Sequence, residues 1–317
     1  MNRIKKLVAL LLAFGVVQLL VSVGILNDYI MATVSTIGIN IILAVSLNLI
    51  TGFTGQFSLG HAGFMSIGAY TCAIITLRNP TTSGFVAGVF AGALMAALVG
   101  FVVGLPTLRL RGDYLAIATL GMAEIIRIVF LNLDITNGAA GLSNIPEFTN
   151  WMWLFIFTSG TVLIVTNFIN SSHGRACISI REDEIAADAM GINSTRYKVT
   201  AFVIGAFFAG IAGALYASRF YVLKPDAFGF LKSIDILVIV VLGGLGSISG
   251  SIIAAILLAI ITSYLQSFPE IRMVIYSVTL IVIMLFRPQG LMGSEELSKS
   301  MFKKWGRLLN RKDGGVA

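Results

Sequence analysis

Charge is what this 317-residue chain has least of. Only 12% of its residues are Asp, Glu, Lys or Arg, against 57% hydrophobic, whereas a soluble globular chain carries roughly 25% charged residues. With a mean hydropathy of +0.92, a water-solvated globule is excluded. Apolar runs long enough for a helix to cross the hydrocarbon core, about 20 residues, recur along the chain. They are continuous rather than alternating, which argues against a membrane β-barrel. Cysteine is equally scarce: Cys72 lies in an apolar span and Cys177 in a polar block, which suggests neither a disulfide framework nor a zinc site. The only histidines, His61 and His173, lack a second ligand at metal spacing. No Ser/His/Asp set and no H-E-x-x-H pattern is recognisable. The glycine cluster at 243–250 contains no lysine, so it is not a phosphate-binding P-loop. The chain is therefore not expected to be an enzyme or to hydrolyse ATP by itself. The expected class is an all-α polytopic membrane protein.

The charges that are present collect in few places. A net charge of +7 could suggest nucleic acid, but the basic residues sit in short loops and at both ends, as the positive-inside rule describes. Coarse spans fall at 7–26, 30–50, 57–77, 84–104, 114–131, 151–169 and 199–217, followed by a long apolar tract and a last span at 271–286. The first of these follows Arg3, Lys5 and Lys6 and lacks a clear cleavage site, so it reads as a retained helix rather than a signal peptide. Orienting the N-terminus to the cytosol puts Arg109, Arg111 and the block at 170–198 inside. The segment 132–150, without Lys or Arg, then falls outside. The tail at 287–317, with Arg287, Lys299, Lys303, Lys304, Arg307, Arg311 and Lys312, should also be inside. Arg219, Lys224 and Lys232 fall outside in this topology and count against it.

That topology needs an even number of passes through the tract between Asp235 and Glu270, which holds no charge. The tract should therefore fold back near Gly243, Gly244, Gly246, Ser247, Ser249 and Gly250, where protein or a water-filled cavity must cover the freed backbone groups. One long tilted helix packed through its glycines is the alternative. A second break lies at residues 51–63, where glycines mix with Gln56, Ser58 and His61 just after Asn48. Broken helices mark substrate sites in many transporters, and a tight surface turn fits the spacing equally. Asn48, Gln56, Ser58, His61, Gly243, Gly244 and Gly246 are thus candidates for a translocation path. Glu124 and Arg127, three residues apart on one helical face of a span, are a candidate intramembrane pair. Mutual neutralisation near the outer end of the helix is the favoured reading. The block at 170–198 carries Glu182, Asp183 and Glu184 at the head of an expected short helix, with Ile185, Ala189 and Ile192 as its apolar edge. Gly191 and Asn193 are its stop. Its acidic head suits docking into a partner's groove better than lying on lipid.

Six ordered stretches resemble one family. They are LNLITGFTGQFSLGHAGFMSIGAY (47–70), LRLRGDYLAIATLGMAEIIR (108–127), GRACISIREDEIAADAMGIN (174–193), KVTAFVIGAFFAGIAGALYA (198–217), LVIVVLGGLGSISG (237–250) and FRPQGLMG (286–293). Together they are similar to the LivM-type permease subunit of bacterial ABC importers for branched-chain amino acids. The resemblance implies a type II import-permease fold of about 8–10 transmembrane or half-spanning helices, with a re-entrant break near Gly243–Gly250. It implies a single transmembrane domain in the cytoplasmic membrane, with coupling loop 170–198. Implied partners are a second homologous permease, two cytoplasmic ATPase subunits carrying ATP and Mg, an extracytoplasmic amino-acid-binding protein and membrane lipid; no nucleic acid and no cofactor on this chain are implied. Glu184, Ala186, Ala187 and Gly191 match the family's coupling core, flanked by Arg181 and Ile185. Cys177 stands where a larger apolar residue would be expected. The cargo implied is leucine, isoleucine or valine. Relatives for urea, short amides or other amino acids share these motifs, and an ion-coupled secondary transporter or a scaffold without a pump are readings from other classes.

Overall fold

The computed structural model describes Gln18, residues 27–108, 110 and 112–264, and positions 274, 277, 278, 281, 285 and 290–293. The expected spans at 7–26 and 271–286 fall almost wholly outside the described residues, as do Arg109, Arg111 and nearly all of the tail from Arg287. Within the described residues the architecture is helical throughout. Helix α1 (Asp28–Asn48) runs into a π-helical turn, Leu49–Phe53. Then follow α2 (His61–Arg78), α3 (Thr82–Thr107), α4 (Asp113–Asn132) and α5 (Trp151–Ile169). The polar block forms α6 (Ser172–Glu182) and α7 (Glu184–Ala189). Helices α8 (Ser194–Phe220), α9 (Phe230–Gly243) and α10 (Ile248–Tyr264) complete the bundle. Among the described residues, five stretches are long and apolar enough to cross a membrane: Asp28–Phe53, Thr82–Thr107, Asp113–Asn132, Trp151–Ile169 and Ser194–Phe220.

The centre of the bundle is α2, α3 and α8, and small residues bring their backbones together. A Cβ added at Gly68 would lie 2.0 Å from the Gly210 carbonyl oxygen, and one at Gly213 would lie 1.9 Å from that of Met65. Close approach of this kind is how helices associate where lipid removes the hydrophobic drive between them. Phe64 and Phe202 fill the adjoining space edge to face, with centroids 5.4 Å apart. Around this centre, α1 packs on α5, α8, α9 and α10. Helix α10 runs antiparallel to α1, since Tyr29 donates to the Ser263 carbonyl at one end and Asn48 donates to Ser251 at the other.

The apolar tract between Asp235 and Glu270 is not one helix. Gly244 and Gly246 have φ of 112° and 85°, values that end a helix and that only glycine adopts freely. The chain therefore turns at 244–247, at the end of the bundle that carries α6 and α7. Residues 290–292 return to the same place: Leu291 N donates to Leu242 O at 2.8 Å and Met292 N to Gly243 O at 3.3 Å. These bonds satisfy carbonyls that the end of α9 leaves without helical partners.

The sequence places a span at 57–77, but the helix starts only at His61, and residues 55–60 carry no helix. That segment lies against α4, where Leu59 N donates to Thr119 Oγ1 at 3.1 Å. At the opposite end of the bundle, Leu142 and Leu223 form an antiparallel bridge, and Glu147 accepts from Arg219 and Tyr221. Arg219 is thus neutralised by an acid from the neighbouring loop.

The packing generates a paired prediction. Gly68→Leu should cost at least ~3 kcal/mol by overpacking, whereas Gly121→Leu, on α4 with open space around it, should change stability by no more than about 0.5 kcal/mol. Thermal unfolding of the purified chain in detergent tests this, and equal midpoints for the two variants would contradict the packing described.

Candidate functional site

Two interruptions of helix and one polar block meet at one end of the bundle. The first interruption is the π-helical turn at the end of α1. Such turns leave backbone groups off the regular i to i+4 ladder and are frequent at functional sites. Within it, Thr54 donates to Leu49 O at 2.7 Å and Gln56 N donates to Ile50 O at 3.1 Å. The second interruption is the 244–247 turn. Asn48 joins them: its Oδ1 accepts from Gly246 N at 2.9 Å, and its Nδ2 donates to Ser247 O at 2.9 Å and Ser251 Oγ at 2.8 Å. The Asn48 side chain is fully buried, so a primary amide that would be costly unpaired instead closes a helix break. Gly52 lets the two pieces touch, because a Cβ there would lie 1.8 Å from Asn48 Oδ1 and 2.4 Å from Gly246 N.

The polar block leans on this junction through Arg181. Its Nη1 donates to the Gly52 carbonyl at 2.9 Å, while the rest of the guanidinium pairs with Glu182. A charge-assisted hydrogen bond contributes about 1.5–3 kcal/mol, and the half-buried position of Arg181 puts this one toward the lower figure. Helix α6 itself is capped by Ser171, which accepts from Gly174 N. It is anchored by Cys177, which is fully buried with its Sγ 3.9 Å from Tyr197 O. Burial pushes the Cys177 thiol up to about 11.

The expected single helix at 182–193 is corrected by the structure. Asp183 stands at φ −155°, ends α6 and caps α7, its Oδ1 accepting from Ile185 N at 2.9 Å and Ala186 N at 3.0 Å. An aspartate offers this cap in competition with helix continuation, which is why the acidic trio straddles a junction rather than heading one rod. Glu184 accepts from Lys198 Nζ at 2.7 Å, tying α7 to the start of α8. The expected apolar edge of Ile185, Ala189 and Ile192 faces away from the bundle, with Ile185 and Ala189 exposed and Ile192 half-buried. Ala187 is the buried residue; Ile185 is 73% and Met190 83% exposed. α7 and the turn after it therefore present Ile185 and Met190 outward, while Cys177 and Ile180 of α6 face the bundle. Gly191, at φ +84° with nothing within 4 Å of an added Cβ, closes the turn after α7.

The other sequence candidates fall into two places. Gln56, Ser58 and His61 are all buried beside the first interruption. His61 Nε2 lies 2.8 Å from Ser46 Oγ. Its Nδ1, both amide atoms of Gln56 and the Thr51 hydroxyl have no partner among the described residues. Gly243 and Gly244 lie at the 244–247 turn, where a Cβ on Gly243 would strike the Gly250 carbonyl. Glu124 and Arg127 are brought together at 2.7 Å, far from the block. Arg127 also reaches Asp226 at 2.9 Å, which the sequence reading missed because 99 residues separate them. Gly52, Ser247, Ser251 and Lys198 were likewise missed as parts of the site. An asparagine in an apolar helix was the available signal, since its amide must find backbone partners.

The sequence pattern of the family described as "Branched-chain amino acid transport system / permease component" matches residues 29–284. The chain is 39% identical over 289 residues to the high-affinity branched-chain amino acid transport system permease protein LivM of Escherichia coli K12, covering 80% of this chain and 68% of that protein. It is 38% identical to the LivM of Salmonella typhimurium, with the same coverage. The permease protein LivH of the same transport system in E. coli K12 is 28% identical over 293 residues, covering 81% of this chain and 92% of that protein. No solved structure matches the chain.

The burial of both thiols gives a direct check on the site. Cys72 and Cys177 are fully buried, and a thiol with its pKa near 11 holds almost no reactive thiolate at neutral pH. Neither should react with maleimide in the folded protein at pH 7, and both should react in SDS. A Met190→Cys variant should label quickly; fast labelling of native Cys177 would contradict the packing of α6.

Proposed function

The chain belongs to the family of branched-chain amino acid transport system permease components, and from that premise we propose that it is the membrane permease subunit of an ATP-driven importer carrying leucine, isoleucine or valine. It is a multi-pass membrane protein. Its role is transport, and it works as one component of a multi-subunit system. The finer reading gives it a second homologous permease, two ATPase subunits bearing ATP and Mg in the cytosol, and an extracytoplasmic binding protein that delivers the amino acid. Both termini and α6–α7 then face the cytosol.

The single observation that carries this reading is the outward-facing α7. Its exposed Ile185 and Met190 offer an apolar contact to a soluble partner, on a platform that Lys198 and Glu184 hold to a membrane-length helix. The Gly191 turn supports the same reading, since it is open to approach. The path itself would run beside the first interruption. Unpartnered buried polar groups each cost roughly 1–3 kcal/mol, and a transporter recovers such a cost where the groups meet water or cargo in another state. Gln56, Thr51 and His61 supply these groups.

Three outcomes test the reading. In proteoliposomes holding the complete importer, uptake of labelled leucine should require ATP and survive collapse of ion gradients; uptake driven by an ion gradient without ATP would place the chain in another class. Gly191→Trp, strained at φ +84° and bulky on the partner-facing side, should leave membrane insertion intact and lower leucine moved per ATP hydrolysed by tenfold or more. Normal coupling in that variant would count against the role of α7. Gln56→Leu should raise the unfolding midpoint in detergent by removing an unsatisfied amide while lowering uptake, and a variant both less stable and fully active would refute the path.

A further inference from the structure

Arg181 and Asn48 make hydrogen bonds at two points four residues apart on the end of α1, and together they connect the polar block to both interruptions. From α6, Arg181 Nη1 reaches Gly52 O at 2.9 Å in the π-helical turn. Four residues before Gly52, Asn48 holds Gly246 N and Ser247 O, the turn between α9 and α10. Gly246 also sits against the guanidinium, since a Cβ there would lie 2.9 Å from Arg181 Nη1. The returning residues 290–292 fasten to the end of α9 behind the same turn. Besides local backbone bonds such as Gly244 N to Val240 O, the joining of the polar block to the two interruptions is made by side chains. It depends on two side chains drawn from α1 and α6.

We infer that Arg181 is the positioning residue through which movement of α6 and α7 is transmitted to the membrane helices, with Asn48 locking the π-helical turn and the 244–247 turn into one moving unit. The proposal rests on the reading of α7 as the contact for an ATPase partner, and adds the route by which that contact acts. The geometry favours this route over a general tilt of the bundle for two reasons. First, α2, α3 and α8 are packed backbone to backbone through Gly68, Gly210 and Gly213, and close-packed cores are not continuously deformable. Second, the end of α1 meets α8 differently. There the Ile50 side chain stands between the end of α1 and Gly205, and the nearest backbone atom, the Ser46 carbonyl oxygen, lies 3.1 Å from an added Cβ, against 2.0 Å at Gly68 and 1.9 Å at Gly213. The rigid centre would stay while the end of α1 and the 244–247 turn follow Arg181.

Thr51 gives a probe inside the moving unit. Its side chain is buried and its hydroxyl bonds to nothing among the described residues, so Thr51→Cys exchanges one such group for another of similar size. The experiment uses the complete importer in proteoliposomes and measures maleimide labelling of T51C, leucine uptake, ATP hydrolysis and cross-linking of Met190→Cys to the ATPase subunits. With the wild-type Arg181, labelling of T51C should rise at least fivefold when ATP is trapped on the partners. Arg181→Met and, separately, Asn48→Leu should abolish that rise and lower leucine moved per ATP hydrolysed by tenfold or more. Arg181→Lys, which keeps a donor for Gly52, should restore part of both. A double variant no worse than either single one would mark a shared route. If T51C labelling rises equally with Arg181→Met, the relay is overturned. If Met190→Cys does not cross-link to the ATPase subunits, the underlying reading of α7 fails instead. A merely structural role would lower the amount of assembled complex and leave the nucleotide-dependent rise intact in what remains, which also overturns the proposal.

Discussion

Lipid offers no hydrogen bonds, so every backbone group freed by a helix break inside a bilayer must be satisfied by the protein itself. Among the described residues two helix breaks lie side by side, and the architecture around them follows from how they are closed. The Asn48 amide satisfies both a donor and an acceptor of the 244–247 turn. Residues 291 and 292 satisfy the end of α9. The Gly52 carbonyl is satisfied by Arg181, which belongs to the polar block rather than to the bundle. A break closed from outside the bundle is open to control from outside it.

This arrangement separates a rigid region from one that can move. The contact of α2, α3 and α8 relies on glycines that leave no room for adjustment. The junction of α1, α9 and α10 is tied together by the directional hydrogen bonds of the buried Asn48 amide. Transport requires two states of comparable free energy, and a shift of this tied unit against the hard centre would supply them without unpacking the core. The polar block is built to the same plan. Lys198, Glu184, Asp183 and buried Cys177 fix it to α8 and the bundle, while Ile185 and Met190 stay outward.

Much of this was legible in the sequence. The scarcity of charge gave the membrane class, the charge-free tract from Asp235 to Glu270 required a turn, and its glycines marked where the turn falls. The stretch at residues 51–63 announced the first break through its glycines and polar residues. What the sequence did not disclose is which distant residues close these breaks. Asn48 and Gly246 are 198 positions apart, and no periodicity encodes that pairing. The division of the polar block at Asp183 was missed for a local reason, because an aspartate can either join the first turn of a helix or cap the next one. The apolar edge at Ile185 was legible from its i, i+4, i+7 spacing, and its exposure is what a docking surface requires.

The central claim is that α6, the π-helical turn and the 244–247 turn move as one piece. The most direct measurement is a pair of experimental structures of the complete importer, without nucleotide and with ATP bound. The account predicts that the Arg181–Gly52 and Asn48–Gly246 contacts persist in both while that group shifts against α2, α3 and α8. A structure in which α6 moves and Gly52 stays behind, its bond to Arg181 broken, would contradict it.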